Sequence, residues 1–402
     1  MSRLRANAFL VLIAGVCTIA PARGNEPFRF PSGKHGKGEL RYLDGIPLLV
    51  VQGTPQEIGE QSAVLVGRPS QRALAYPKEA LSHLATSAGL KLLWPIVVKN
   101  GLKLLENFPA DYRQEFEALA RASGLDRELL LAANTAFDLK LDLPALFGCS
   151  ALIIEAERSA TGQPIFGRNM DYPSLGYLHQ YSLVTLCRPQ GKHAFVSIGY
   201  PCVVGCISGI NDAGLALTIL ETTGADRNEG PVFNPHGVPY ALCYRRVLEE
   251  CTTYQQAEKL LRDMKRTTTN NLAVCDRNGG AVFEITPSRV VVRHTVDNIG
   301  VCTNHFCSEE LKLSNPRNFF KTLDRFALLE QARTQSKRLD IDDVQRYLHA
   351  ANQDDLTLQT MIFEPATLTL HLAFAVDNKP SSARALKRLE LAPLLKNERA
   401  SE

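Results

Sequence analysis

The chain has 402 residues, with 45 lysines and arginines against 42 aspartates and glutamates, and 45% of its residues are hydrophobic. This is the composition of an ordinary globular protein, and it excludes wholesale disorder, collagen-like repeats and coiled coils. The formal net charge is only +3 and no run of lysine and arginine stands out. Both features argue against nucleic acid as a partner.

The first 24 residues have the three parts of a secretory signal peptide. Arg3 and Arg5 precede a short apolar run over residues 8–16, and small residues follow up to Gly24. This run is too short for a membrane-spanning helix, which needs about 20 residues. We therefore expect cleavage after Gly24, export to a periplasm, a secretory lumen or the medium, and no stable membrane span.

Residues 25–148 are predicted to form an N-terminal segment that is mostly helical. A strand is expected over residues 46–51, and a helix begins at Pro55. Between residues 71 and 139 apolar side chains recur at three- and four-residue spacing, which is typical of helices, and Asp126 caps the last of them.

Residues 149–402 predict two groups of hairpin strands separated by helices. Strands are expected over 151–156, 165–172, 181–186, 194–199, 203–210, 215–221, 271–275, 281–285, 290–293, 301–303, 358–363 and 368–374, and helices over 239–265, 319–333 and 341–350. Two adjacent asparagines, Asn270 and Asn271, are predicted to form a turn. The order of elements indicates a layered α+β fold with two sheets and helices outside.

The cysteine count gives no metal site. Apart from Cys17 in the leader, nine cysteines remain, an odd number that implies at least one free thiol or an intermolecular bridge in an exported chain. Disulfides within the chain stay open. No histidine stands at ligand spacing from these cysteines, so zinc is not expected, and neither a metal nor an organic cofactor is predicted.

One cysteine, Cys149, lies where helical sequence changes to strand sequence, directly after Gly148. A cysteine in such a place is more often a buried small hydrophobe than a nucleophile. The hairpin that follows, however, carries Arg168 and Asp171 on its return strand. Taken alone, the spacing of these two residues favours a simple structural ion pair.

The register of that hairpin decides which residue lies opposite Cys149. If the turn centres on residues 160–161, Cys149 pairs with Tyr172; a slip of one residue would place Asp171 there instead. In both registers Arg168 and Asp171 are within reach of Cys149, but which side chains face each other stays open.

Six segments together resemble a known family. They are Gly148–Ser150, Gly167–Tyr172, Gly209–Ala216, Thr303–Phe306, Ser314–Arg317 and Thr357–Phe363. Their order and spacing are similar to those of the cysteine Ntn-hydrolases, and most of all to the acyl-coenzyme A:6-aminopenicillanate acyltransferase-like (penicillin acyltransferase-like) family. Choloylglycine hydrolases and acid ceramidases are more distant relatives. The resemblance covers most of residues 40–392, weakly before Gly148.

The resemblance implies a four-layer αββα sandwich that is made as an inactive precursor. Self-cleavage between Gly148 and Cys149 would give chains 25–148 and 149–402, which stay associated. The α-amino group released on Cys149 would then deprotonate its own thiol, with no histidine needed.

Four further residues take roles by the same resemblance. Arg168 would lower the pKa of the thiol and help to bind the acyl oxygen, and Asp171 would accept from the α-ammonium group. Asn304 would donate to the oxyanion. Arg317 matches the second arginine of the superfamily.

One position departs from the relatives. Choloylglycine hydrolases have an asparagine in the oxyanion hole at the place that Glu221 holds here, counting from Gly214 and Leu215. A carboxylate would repel an oxyanion, so the second oxyanion donor stays unassigned and bile-salt specificity is not expected.

The expected activity is hydrolysis or transfer of the acyl group of a small-molecule N-acyl amide or other acyl donor. Its acyl pocket is predicted to include Phe147, Tyr172, Tyr177 and Phe306, and His305 is expected to be a wall residue. A papain-like thiol hydrolase is one alternative, although its nucleophile begins a helix and Cys149 precedes a strand former. The other is an exported binding protein without catalysis. The oligomeric state stays open.

Overall fold

The computed structural model describes residues 28–139, 148–222, 232–313, 316, 318–377 and 379–396. The predicted signal peptide at 1–24 and two predicted site residues, Phe147 and Arg317, lie outside the described residues. The predictions made for them therefore stay predictions.

Within the described residues the strands are β1 (Gly33–His35), β2 (Gly38–Leu43), β3 (Ile46–Gly53), β4 (Gly148–Ile154), β5 (Ile165–Asp171), β6 (Leu183–Pro189), β7 (Phe195–Gly199), β8 (Ser208–Asn211), β9 (Ala216–Glu221), β10 (Asn270–Asp276), β11 (Gly279–Ile285), β12 (Val290–His294), β13 (Ile299–Cys302), β14 (Thr357–Glu364), β15 (Thr369–Phe374) and β16 (Lys387–Glu390). The α-helices are α1 (Pro55–Ser62), α2 (Gln71–Leu74), α3 (Tyr76–Leu84), α4 (Ser87–Glu106), α5 (Ala110–Ser123), α6 (Arg127–Thr135), α7 (Tyr240–Glu250), α8 (Tyr254–Asp263), α9 (Thr322–Glu330), α10 (Ile341–Ala350) and α11 (Ala392–Leu395).

These strands form two sheets. Sheet A has the order β1-β2-β3-β6-β7-β8-β9-β10-β11-β12, and sheet B has the order β13-β4-β5-β14-β15-β16. Neighbouring strands are antiparallel, except that β3 runs parallel to β6. Through β1, β2 and β3 the N-terminal segment supplies one edge of sheet A, so this segment and the rest of the chain share a sheet.

The alternation of side chains along the strands produces four layers. One face of sheet A packs on α1, α5 and α7, with Val51, Phe116 and Val247 in the shared core. Its other face packs on sheet B, where Val50 and Val196 meet Ile153 and Phe363. The outer face of sheet B is covered by α9 and α10. The predicted αββα sandwich is confirmed.

Local sequence explains where several helices begin. Thr54 and Glu57 form a capping box at the start of α1, in which each side chain bonds the backbone N–H of the other residue. Asp126 accepts from Glu128 and Leu129 at the start of α6, as the sequence predicts. Asp340 caps α10 in the same way.

Some sequence predictions are wrong in detail. The strand expected over 203–210 is confined to β8, and the helix expected over 239–265 is divided into α7 and α8. Asn270 and Asn271 do not form a turn but begin β10, because the Asn271 amide donates to two buried carbonyls, those of Thr303 and His305. β1, β2 and β16 were not expected.

The register of the β4–β5 hairpin also differs from both expectations. Cys149 pairs with Met170, and Gly148 pairs with Asp171. The turn is centred one residue earlier than predicted, where Ser159 bonds back to Glu155, and this shifts the pairing by two. A shift of two preserves the faces, so the side chains of Cys149 and Arg168 still share one face.

None of the helices among the described residues has both the length and the apolar character that a membrane crossing requires.

Candidate active site

Cys149 is the second residue of β4, and its side chain points between the two sheets. It belongs to the inter-sheet core with Ala151 and Ile153 and is 4% exposed. The cysteine therefore lies on a strand rather than at the start of a helix, which disfavours the papain-like alternative.

Arg168 reaches the thiol from the neighbouring strand β5. Its Nη2 lies 3.3 Å from Sγ of Cys149, and its Nη1 donates to Oγ of Ser208 and to the carbonyl of Ile207. The side chain is 1% exposed, and Nε has no hydrogen-bond partner. A buried guanidinium next to a thiol favours the thiolate form.

Asp171 lies on the opposite face of β5 from Arg168, as expected for residues three apart on a strand. Its Oδ1 accepts from Oγ1 of Thr357 at 2.7 Å. Its Oδ2 is buried without a hydrogen bond and packs against Gly148, where an added Cβ would lie 3.0 Å away. The guanidinium that approaches Asp171 is that of Arg325, at 3.8 Å, so the simple Arg168–Asp171 ion pair is not formed.

Asn304, two residues beyond β13, contacts the nucleophile through the backbone. Its Oδ1 accepts from the main-chain N–H of Cys149 at 2.9 Å and from Nη2 of Arg325 at 2.6 Å. Its Nδ2 donates to the carbonyl of Glu221 at 2.8 Å. The two donors lie at the oxygen end of the Asn304 carboxamide and the carbonyl lies at its nitrogen end. This arrangement fixes the orientation of the amide.

Arg325 is a site residue that sequence reasoning missed. It lies on α9, and its Nη1 donates to the carbonyl of Cys149 at 2.5 Å and to Oγ of Ser150 at 2.9 Å. A signal was present, because Thr322, Arg325 and Leu329 form the buried stripe of α9. An arginine within the apolar face of a short helix predicts a buried polar partner.

Burial dominates the electrostatics of the site. It raises the pKa of the Cys149 thiol, and the charge of Arg168 opposes this rise. Burial also raises the pKa of the Asp171 carboxyl against the effect of Arg325. His305 contacts Thr303 and Thr322 rather than Cys149, and burial lowers its pKa to about 4.

A cavity of about 160 Å³ opens beside the thiol. Its wall is mainly apolar and includes Cys149, Arg168, Tyr172 and Glu221. The predicted pocket residues Tyr177 and Phe306 are not part of this wall; the hydroxyl of Tyr177 is held by Glu79 on α3.

The wall of the cavity comes from both sides of Gly148. Leu49 and Val51 on β3, Ile58 on α1 and Leu119 on α5 contribute from the N-terminal segment. Residues of β6, β7 and β9 complete it from the C-terminal part. The N-terminal segment is therefore part of the site.

The described cysteines, Cys149 among them, are free thiols, and the sequence had left disulfides open. No group of three or more His, Cys, Asp or Glu side chains among the described residues is arranged to hold a metal ion.

The two packed sheets and the outer helices define an αββα sandwich. A buried cysteine on β4, the first strand of sheet B in chain order, is its candidate thiol nucleophile. Residues 158–379, just over half of the chain, match the family model of acyl-coenzyme A:6-aminopenicillanic acid acyl-transferase. The chain belongs to this family, within the Ntn-hydrolases that act on amide bonds, and the predicted resemblance is confirmed. The match includes Arg168, Asp171, Asn304 and Arg325 and begins after Cys149.

Solved structures with a similar fold include three hydrolases. The Caenorhabditis elegans ortholog of N-acylethanolamine-hydrolyzing acid amidase is 16% identical, with 60% of this chain and 100% of that chain covered and a TM-score of 0.42. A variant of the conjugated bile acid hydrolase of Clostridium perfringens is 14% identical, with 62% and 95% covered and a TM-score of 0.40. Penicillin V acylase of Agrobacterium tumefaciens is 14% identical, with 60% and 92% covered and a TM-score of 0.39. No curated protein sequence matches the chain.

Proposed function

We propose that this chain is an exported, self-cleaving cysteine Ntn-hydrolase that hydrolyses or transfers the acyl group of a linear amide through a thioester on Cys149. One observation carries the proposal. Around the Gly148–Cys149 peptide bond the fold gathers a thiol, a guanidinium 3.3 Å from it, and a buried carboxylate oxygen without a hydrogen bond beside Gly148.

Self-cleavage begins when the Cys149 sulfur adds to the carbonyl carbon of Gly148. The bond from that carbon to the Cys149 nitrogen breaks, the nitrogen takes up the proton that the thiol has lost, and Gly148 is held as a thioester. Water then hydrolyses the thioester, which leaves a carboxylate on Gly148 and a free thiol and amine on Cys149. Arg325 and Asn304 hold the carbonyl and the N–H of Cys149 in place during this exchange.

Turnover uses the groups that cleavage releases. Cleavage converts the backbone N–H of Cys149 into an α-amine, and Oδ2 of Asp171 lies beside Cα of Gly148, two covalent bonds from that nitrogen. The amine, held between Asp171 and Asn304, takes the proton of the thiol. Nε of Arg168 is a buried donor without a partner and is available to the acyl oxygen.

The acyl group of the substrate occupies the apolar cavity. Its volume of about 160 Å³ is close to the ~150 Å³ of an engineered apolar cavity that binds benzene. We therefore propose small-molecule amides whose acyl group is aromatic or a short alkyl chain. Both chains line the cavity and β3 pairs with β6 along six residues, so the two chains stay associated after cleavage.

The test is turnover of a chromogenic N-acyl amide by the full-length protein and by Cys149→Ala. Wild type is expected to release the amine, to lose this activity on thiol alkylation and to keep it in the presence of a chelator. Cys149→Ala is expected to be inactive although it remains folded, which a cooperative thermal melt would show. Equal turnover by a folded Cys149→Ala would reject Cys149 as the nucleophile, and a folded wild type without turnover or self-cleavage would favour a binding protein.

A further inference from the structure

Arg168, whose guanidinium contacts the thiol of Cys149, belongs to sheet B but is held in place by residues of sheet A. Arg168 extends from β5 in sheet B across the interface to β8 in sheet A, where its Nη1 donates to Oγ of Ser208 and to the carbonyl of Ile207 at 3.4 Å. Ser208 has no exposed surface. The contact between Arg168 and Ser208 therefore depends on the packing of the two sheets.

A second hydroxyl supports the Ser208 side chain. Oγ of Ser208 lies 3.2 Å from Oγ1 of Thr218, its cross-strand partner on β9. Arginine can only donate, so the Ser208 oxygen accepts from Nη1, whereas either hydroxyl can be the donor between Ser208 and Thr218. The contacts with Arg168 and Thr218 together hold the Ser208 oxygen in place.

No carboxylate lies within 4.0 Å of the Arg168 guanidinium in the part of the chain that the structure describes. Its place is set by neutral acceptors, and Nε has none. Because the guanidinium is planar and rigid, fixing Nη1 on Ser208 also fixes the direction in which Nη2 points, which is toward Sγ of Cys149.

We propose that Ser208 is a positioning residue that acts through Arg168 to set the reactivity of the Cys149 thiol. This inference rests on the proposed function, since it assumes that Cys149 is the nucleophile. Without the Ser208 oxygen, Nη1 keeps only the long contact to Ile207, and Nη2 is free to turn away from sulfur.

The test compares Ser208→Ala with Ser182→Ala in the full chain. The control also removes a buried serine hydroxyl that links the two halves of the sandwich, because Oγ of Ser182 accepts from Gln359 on β14 at 3.0 Å. It leaves Arg168 untouched. The readouts are the pH dependence of iodoacetamide labelling at Cys149, mapped by mass spectrometry, and the pH profile of kcat/KM.

For Ser208→Ala we expect the midpoint of labelling to move to higher pH by about one unit, with kcat/KM at neutral pH down about tenfold, since one pKa unit is a factor of ten. KM should change little, and Ser182→Ala should behave as wild type. Profiles of Ser208→Ala and Ser182→Ala that coincide with wild type would overturn the inference.

Thr218→Val provides a second variant should Ser208→Ala fail to fold. It keeps the volume of the side chain and removes the hydroxyl that bonds Ser208, so a smaller shift in the same direction is expected, and an unchanged labelling profile would overturn the inference. A wild type that neither self-cleaves nor turns over would sink the proposed function itself. Active wild type with unshifted variants sinks only the role of Ser208.

Discussion

Two buried arginines of this protein, Arg245 and Arg168, have opposite surroundings. Arg245 on α7 has every nitrogen within 2.8 Å of a carboxylate oxygen: Nε at Glu249 and both terminal nitrogens at Glu115. Arg168 touches a thiol, a hydroxyl and a carbonyl, and its Nε has no partner. The first arginine is neutralised and the second is not.

We infer that this difference separates a structural network from the proposed reactive site. Burying a charge is unfavourable unless it is paired, and the Glu115–Arg245–Glu249 network meets this condition. Around Cys149 the described residues leave the Arg168 cation without a carboxylate in contact and one carboxylate oxygen of Asp171 without a hydrogen bond. We propose that this incomplete pairing persists because the missing partner is an intermediate: a thiolate, an oxyanion or the α-ammonium of a cleaved chain.

The largest expected effect is that of Asp171→Asn on turnover. The amide keeps the shape of the side chain but no longer holds an α-ammonium, so kcat should fall by ~10²–10⁴, the usual contribution of a positioned acid–base group. Steady-state kinetics on the chromogenic amide, beside thermal melting, measures it. Asp276→Asn is the matched control, because Asp276 is equally buried but caps α8 through the N–H of Tyr254. Normal turnover in Asp171→Asn would return this residue to a structural role.

The comparison of the two arginines can be tested with one substitution in two places. Arg245→Leu leaves Glu115 buried without its cation, while Glu249 keeps Lys192. The free energy of unfolding should therefore fall by ~3–5 kcal/mol, and turnover by the folded fraction should fall far less than in Arg168→Leu. Arg168→Leu leaves no carboxylate among the described residues without an ion-pair partner. This variant should therefore lose turnover but little of its free energy of unfolding. Denaturant unfolding and kinetics of both variants are the measurements. Equal losses of stability would show that the two arginines have the same role.

A smaller effect concerns stability against pH, measured in the uncleaved Cys149→Ala background. Burial raises the pKa of Asp171 in the folded chain, so this group favours folding at low pH and its contribution is lost as the pH rises through the raised pKa. Asp171→Asn should therefore melt higher than its parent at neutral pH, and this advantage should shrink on acidification. The description of the site would be contradicted if the melting temperature of Asp171→Asn, relative to that of its parent, were lower at neutral pH than in acid.

The smallest expected effect is the change in kcat/KM along a series of substrates with different acyl groups. Each methylene buried in the cavity should stabilise the transition state by about 0.8 kcal/mol and so raise kcat/KM roughly fourfold, until a benzene-sized group fills the cavity. Acetyl to hexanoyl amides of one chromogenic amine, with phenylacetyl and a long-chain amide at the end, provide the series. Values that ignore acyl size would show that the cavity does not receive the acyl group.

The layers of this fold and the neighbourhood of its site could be predicted from the sequence, because both depend on local patterns. Alternation marked most strands, and strand spacing brought Cys149, Arg168 and Asp171 together in spite of a register wrong by two residues. Sequence reasoning missed Arg325, which contacts Cys149 from a helix, and Ser208, which contacts Arg168 from the second sheet. Contacts between layers leave only a weak trace in sequence, such as an arginine in an apolar stripe.

The central claim is that the Gly148–Cys149 bond is cut by the thiol of Cys149. Intact-mass analysis of purified wild type and Cys149→Ala, under denaturing conditions, tests it most directly. The account predicts two chains in wild type, with the larger one beginning at Cys149-Ser150-Ala151, and one uncut chain in the variant. A single intact chain in catalytically active wild type, or the same two chains from Cys149→Ala, would contradict it.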